Sequence, residues 1–441
     1  MPRCFIPLML CLLTVGPGTA TTYGQTEDNP DPVLEWNQVF IDTLIATNTA
    51  NSSSQRLGAI LHTAIFDAFN SIERRYTPIF VHSAAPNGAS RRAAVVAAAY
   101  TVLVKLFPAR EPQLTPLYTT SLAALSDDGQ DGGESRERGI KWGTHVGQAV
   151  FESRKNDGFS GPPPLPSPFF GGTALGQWRM TSNCNTAVGM TAQTLAFTDM
   201  FVLDTNRQFQ PPPPRTLADD TYVTDFNAVK ALGRSTGSSR TPDQTALAPF
   251  WEGNASVHWN QAANQIARAN RLSMSDSNRL LAVLNLAMAD TAFTIWRAKR
   301  DYGELVTEVT WRPWTAILLA DTDGIGATAP DPDWRPLVTT PCHPEYPAGH
   351  PGLNGAAATV LRRHFADAQT FTLTTRLMVS GQLVDLPPRT YESISQARAD
   401  GNDARVWGGM HYPSTVEISD GVGSEIADYV DANAMRPIRG N

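Results

Sequence analysis

Apolar residues recur along most of this chain at three- and four-residue spacing, the period of a helix with one face in a core. Leu57, Leu61, Ile65 and Phe69, with Ala64 and Ala68 interleaved, predict one such helix. Arg92 to Phe107 is rich in Ala and Val and long enough to be buried; Glu134 to Glu152 and Trp259 to Leu272 repeat the pattern. The clearest stripe is Leu280, Leu284, Ala287, Met288, Thr291 and Ile295, which Ser273, three residues before Asp276, or Ser275 can cap. Leu353, Ala357, Val360, Leu361 and His364 form another, and a last helix is expected from Ser414 to Asn433. Strand signals are few, the best being Thr370 to Leu373 and Leu383 to Leu386. The pattern predicts an all-α chain of packed helical bundles.

The periodicity fails between Gly161 and Asp219, where Pro162 to Pro164 and Pro211 to Pro214 flank a helix-poor stretch. A connection that long inside a domain is commonly functional or disordered. Its aromatic residues (Phe169, Phe170, Trp178, Phe197 and Phe201) are expected to pack onto the body. No internal repeat of fixed period is present. The organisation expected is a helical region over 21–240, containing the Pro-rich loop 161–219, followed by a second helical region over 241–441.

At 441 residues, 41% hydrophobic and 17% charged, the chain can bury a large core, which excludes disorder as its main state. The net charge of -7, with no long Lys/Arg run, argues against nucleic acid or an anionic membrane as main partner. An anionic ligand would need a local cationic pocket instead. Residues 1–20 read as an export signal, with Arg3, an apolar run from Phe5 to Val15, and Gly18-Thr19-Ala20 as the cleavage candidate. No later stretch reaches the roughly 18 uninterrupted apolar residues of a spanning helix. The mature protein is therefore expected to be soluble and secreted, or periplasmic in a bacterium. Beyond Cys4 and Cys11 in the signal, Cys184 and Cys342 either pair or stay as buried thiols. Asn51-Ser52-Ser53 and Asn254-Ala255-Ser256 are glycosylation sequons, meaningful only in a eukaryotic source.

Most of the 8 histidines look ordinary. His62 and His364 lie on or beside apolar helix faces, and His82, His145 and His258 have no supporting constellation. His343, His350 and His411 differ, since each sits among prolines or glycines. In Pro347-Ala348-Gly349-His350-Pro351, a proline suited to the first helical position places His350 near the start of the Leu353–His364 helix. Free N–H groups and the helix dipole make such a start an anion site. Arg405-Val406-Trp407-Gly408-Gly409-Met410-His411-Tyr412-Pro413 repeats the logic. Lys299, at the end of the long stripe helix, and Arg312 in Trp311-Arg312-Pro313 would add two cations. Read separately, each is a helix-end or surface charge; read together, Lys299, Arg312 and Arg405 suit a tetrahedral oxyanion.

This order of residues resembles the vanadium-dependent haloperoxidases, which share a superfamily with type-2 phosphatidic acid phosphatases and class A acid phosphatases. Trp311 to Ile317, Pro344-Glu345-Tyr346-Pro347-Ala348-Gly349-His350 and Gly408 to Tyr412 are similar to its secreted members, as are Leu34 to Asn37 and Phe66 to Asn70. The resemblance implies vanadate as cofactor, with His411 as its ligand through a ring nitrogen. It implies that Lys299, Arg312, Arg405 and the Gly349 N–H neutralise the oxygens, and that His350 is the acid–base group. Hydrogen peroxide and halide would be substrates, with a small organic acceptor downstream. In the phosphatase variant, His411 would be the nucleophile and His350 would protonate the leaving alcohol.

Three positions depart from the family. Ala348 stands where Ser is usual, which removes one hydroxyl donor. Thr415 occupies the place of an Asp that would orient His411 in the phosphatases, so it orients without adding charge. Lys299 stands farther from Arg312 than in relatives, with Glu304 to Val309 as the candidate insertion. Three readings therefore stay open: a haloperoxidase-type enzyme, a soluble acid phosphatase acting through a phosphohistidine, and a degenerate oxyanion-binding homologue.

Overall fold

A computed structural model describes residues 31–125, 133–160, 167–305, 307–379 and 381–438. The export-signal segment and Pro162 to Pro164 lie outside the described residues. Thirteen α-helices occur among those described. The first half holds α1 (Pro32–Ala46), α2 (Asn51–Glu73), α3 (Arg91–Leu106), α4 (Glu111–Ala124), α5 (Gly133–Ser153), α6 (Asp220–Leu232) and α7 (Pro242–Phe250). There follow α8 (Ala255–Ala269), α9 (Met274–Gly303), α10 (Pro313–Leu318), α11 (Gly349–His364), α12 (Ile394–Trp407) and α13 (Pro413–Asn433). The architecture is all-α, as the periodicity predicts.

Six of these helices escape the periodicity. Helix α4 has Pro at its second position and again inside, α7 contains Pro249, and α10 has only 6 residues. Helix α12 is largely polar, with Gly401 inside it. Helices α1 and α6 are short amphipathic segments opened by the side chains of Asp31 and Asp219.

Helix α9 is the spine. Ser273 accepts the N–H of Asp276 and starts it. Its apolar residues from Leu280 to Ile295 are almost wholly buried, so burial on every side holds it. It packs against α2 on one side and against α11 and α13 on the other. By length and composition α9 could cross a membrane, but 94% of its apolar window is enclosed by protein. One large apolar core runs from α1 to α13 around it. A smaller one gathers Tyr222, Phe226, Trp311, Ile317, Trp334 and Tyr412 beside α6 and α10.

Two antiparallel ribbons project between α11 and α12. Strands β1 (Ala368–Leu373) and β4 (Arg389–Ser393) pair, with Phe371 opposite Tyr391. Strands β2 (Arg376–Val379) and β3 (Gln382–Asp385) form the second, with Arg376 opposite Asp385.

The stretch 167–219 contains no α-helix. Its backbone is tied to side chains instead. Asp290 on α9 accepts the N–H groups of Phe201, Val202 and Leu203 at 2.8, 2.8 and 3.0 Å. Phe169 and Trp178 pack inward, whereas Phe170 and Phe197 are exposed, contrary to the expectation that all its aromatics face the body. A disulfide joins Cys184 in this stretch to Cys342. Around it, the Thr191 N–H donates to Cys342 O at 2.8 Å and Asn183 Nδ2 to Thr340 O at 2.9 Å.

The sequons are internal ties. Asn254 Nδ2 donates to Thr49 O at 3.1 Å, its Oδ1 caps α8, and Asn51 Oδ1 accepts the Ala255 N–H at 2.9 Å. These bonds sew the start of α2 to the turn between α7 and α8.

Candidate active site

Segments from both halves of the chain meet at one cavity of about 370 Å³. Gly349, His350, Arg405, His411, His343, Glu252 and Trp296 line it, and Thr191, Ala192 and Cys342 close one wall.

The C-terminal part of α9 carries Lys299, which is fully buried. Its Nζ donates to the carbonyls of Pro344 and Glu345 at 2.7 and 3.1 Å. The longer spacing to Arg312 is taken up by a loop in which Thr310 and Trp311 both donate to Gly176 O at 2.8 Å. Arg312 then forms the N-cap of α10 and is also fully buried. Its Nε donates to His343 O at 3.0 Å, its Nη1 to Met410 O at 2.9 Å and to His411 Nε2 at 3.1 Å, and its Nη2 to His343 Nδ1 at 2.9 Å. One of the five guanidinium N–H donors remains.

Helix α11 begins at Gly349, two residues before Pro351, so its proline is not the opening residue. Ala348 is the N-cap and no side chain caps the helix. The Gly349 end of its first turn lines the cavity. A Cβ on Gly349 would meet the Trp296 ring at 3.3 Å, a tight contact that the ring would have to give way to by a few tenths of an ångström.

The Arg405–His411 pair comes from one folded-back turn. Gly409 has φ +78, a backbone that L side chains disfavour, and the N–H groups of Met410 and His411 return to Arg405 O at 3.0 and 3.3 Å. Pro413 opens α13 directly after, at the position where its missing N–H is harmless. Arg405 is 2% exposed and donates from Nη1 to Glu252 at 2.8 Å. Its Nε is buried with no partner.

His411 is the most constrained group. Because Arg312 only donates, His411 Nε2 must carry a lone pair and the ring proton sits on Nδ1. Nδ1 donates to Glu345 Oε1 at 2.9 Å. Glu345 is fully buried and also accepts the Tyr412 N–H at 3.1 Å and the Thr415 hydroxyl at 3.1 Å. Thr415 thus holds the carboxylate, and the carboxylate, not Thr415, holds the imidazole. The charge that position 415 lacks is delivered from the loop before α11.

The electrostatics follow from burial. It pushes Lys299 well below the usual lysine value, with Arg312 adding repulsion and Glu345 opposing it. It draws Arg312 down to about 9, partly offset by Glu345. His411 is held neutral, first by burial and then by Arg312 and Lys299. His350 and His343 are lowered in the same way, the next cause being Arg405 for His350 and Lys299 for His343. Glu345 is raised by burial to about 7 against the pull of Arg312. The site therefore concentrates cationic donors at an energetic cost, which an incoming anion would relieve.

All six residues singled out in the sequence meet here: Lys299, Arg312, Gly349, His350, Arg405 and His411. Lys299 and Arg312 stand behind the cavity lining, Lys299 on carbonyls and Arg312 on two imidazoles. Sequence reasoning missed Glu345 and Glu252, and it noted His343 without a role. Glu345 lay within the quoted Pro344–His350 motif, but nothing local marks it as the partner of a histidine 66 positions away.

The VCPO second helical-bundle domain matches residues 279–440. Among solved structures, a bacterial vanadium-dependent iodoperoxidase superposes with TM-score 0.73 at 20% identity, over 93% of this chain and 97% of that one. A bacterial vanadium-dependent chloroperoxidase in its apo form gives 0.65 at 17% identity, over 87% and 94%. Its holo form gives 0.65 at 17%, over 86% and 91%. No curated protein sequence matches the chain. The chain is vanadium haloperoxidase-like in fold, and the matched domain contains every residue of the cage named above from Lys299 to His411.

Proposed function

We propose that this protein is a vanadate-dependent haloperoxidase-type enzyme that oxidises halide with hydrogen peroxide. The observation that carries the reading is a cavity lined by Arg405, His411 and the open start of α11, with buried Lys299 and Arg312 directly behind that lining and Arg312 bonded to the lone pair of His411. The orphaned Arg405 Nε and the close-set Gly349 fit a compact polyoxo anion. Among the described residues no cluster of three or more His, Cys, Asp or Glu suits a bare metal cation, and this donor set is cationic instead.

His411 Nε2 would hold vanadium, and Arg405, Arg312, Lys299 and the Gly349 N–H would hold the oxygens. When bound, vanadate supplies a Lewis-acid centre that activates peroxide toward halide. Glu345 keeps the His411 proton on Nδ1 and the lone pair on Nε2. His350 holds or moves a proton at the cavity face. Lys299 and Arg312 gain charge stabilisation as an anion enters. Residues 1–20 as an export signal, and hence secretion, belong to the same reading; the Cys184–Cys342 disulfide supports an oxidising compartment.

The test is halide oxidation by the folded protein after vanadate addition. Peroxide-dependent oxidation of iodide, bromide or chloride is expected. No oxidation of any halide by a vanadate-saturated sample rejects it.

A second reading gains from Glu345. A histidine with a carboxylate on Nδ1 and a lone pair on Nε2, here turned to Arg312 Nη1, is equipped as a phosphorus nucleophile once an anion takes up that guanidinium. Hydrolysis of a chromogenic phosphate ester, blocked by vanadate, would favour that reading.

A further inference from the structure

His350 lies on the cavity wall, and its Nε2 has two neighbours of opposite kind. Asn51 Nδ2 stands 3.3 Å from it, and so does Gly253 O. Among the described residues no protein hydrogen bond reaches its Nδ1.

The orientation of Asn51 is not arbitrary. Its Oδ1 accepts the Ala255 backbone N–H at 2.9 Å and Gln55 Nε2 at 3.0 Å. A backbone N–H can only donate, so the oxygen must face Ala255 and the amide nitrogen must face His350. An amide nitrogen also only donates. It bonds Nε2 only when Nε2 is unprotonated, which places the proton of a neutral ring on Nδ1. The Gly253 carbonyl can only accept. It bonds Nε2 only when Nε2 carries a proton, as in the cation or in the other neutral tautomer.

We propose that Asn51, from the N-terminal half, is a positioning residue that sets the tautomer of His350, holding its Nδ1 as an N–H donor in the ligand-free protein. Gly253 O is the second partner, engaged when the ring takes the form whose Nδ1 can act as a base. The first half of the chain, which also supplies Thr191 and Ala192 to one wall, thereby bears on the acid–base histidine itself. The bonds of Thr49, Asn51 and Ser54 to Asn254 and Ala255 fix this reach, since they join α2 to the turn that carries Gly253. Arg405 and His258 are the charged or titratable groups that bear on the ring. The role of the tautomer in turnover rests on the function proposed above; the tautomer itself does not.

The experiment is long-range proton–nitrogen NMR on ligand-free protein labelled with 15N-histidine, the His350 signals being assigned by their loss in His350→Gln. The wild type at neutral pH should show the Nδ1–H pattern. Asn51→Asp keeps the oxygen for Ala255 and replaces the donor by an acceptor, so it should convert His350 to a form protonated on Nε2. A wild-type Nε2–H pattern, or a pattern unchanged in Asn51→Asp, overturns the proposal. Should Asn51→Asp not fold, the wild-type spectrum alone decides. Orthovanadate titration of the same wild-type sample reports separately on the proposed function: absence of binding there removes that reading and leaves the tautomer result standing.

Discussion

Glu345 Oε1 lies 2.9 Å from Nδ1 of His411, although the two residues are 66 positions apart. The same oxygen accepts the Tyr412 N–H, and the other takes the Thr415 hydroxyl. This contact fixes which imidazole nitrogen carries a lone pair. Glu345→Gln keeps the shape and removes the charge. On the function proposed above, orthophosphate would need only the cage, whereas vanadate would also need a basic Nε2. The ratio of vanadate to phosphate affinity should fall by about tenfold or more, as for other partners of a metal-ligating histidine. Competition titration checks it, and an unchanged ratio would separate Glu345 from ligand tuning.

Ala348 is the fully buried N-cap of α11, and its own N–H is held by Ser419 Oγ at 2.7 Å. Ala348→Ser restores a hydroxyl at the mouth of the helix. A hydrogen bond to a charged group contributes about 1.5–3 kcal/mol, so vanadate should bind roughly tenfold tighter or better. Calorimetric titration decides. A constant dissociation constant with a raised melting temperature would show that the hydroxyl caps α11 instead.

The Cys184–Cys342 disulfide closes a chain separation of 158 residues and pins the wall formed by Asn183, Thr191 and Ala192. Its removal by paired Cys→Ser substitution should cost about 2–5 kcal/mol of stability. Limited proteolysis should then cut first within 181–192. Unaltered unfolding and protection would mean that the hydrogen bonds of Thr191 and Asn183 suffice.

His62 is buried, bonded to Asn37 Oδ1 at 3.0 Å, and drawn down to about 3 by burial. Its folded value lies below its unfolded one, so the unfolded chain binds the extra proton. The contribution is intact above about pH 6.5 and is lost as pH falls toward 3, at about 1.4 kcal/mol per pH unit. His62→Gln should flatten the stability–pH curve over that window by this slope. Urea unfolding between pH 7 and 4 measures it; an equally steep variant would contradict the assignment.

The parts legible in the sequence were those with local signatures. Long apolar stripes such as that of α9 reveal buried helices, and Pro or Gly beside His350 and His411 marks the two helix starts that meet at the cavity. Helices α4, α7 and α12 stayed hidden because prolines or polar residues break their period while tertiary packing holds them. Glu345, Glu252 and Asn51 stayed hidden for another reason: each acts on a residue far along the chain, and only folding brings donor and acceptor together. Thr415 shows the trap in reading one position by itself, since the missing carboxylate arrives from a different loop.

An oxyanion cage closed by His411 must bind orthovanadate in solution. Titration of ligand-free wild type and of His411→Ala should show saturable one-to-one binding in the first and its loss in the second. Absence of saturable binding in the folded wild type, or equal binding in both, would contradict it.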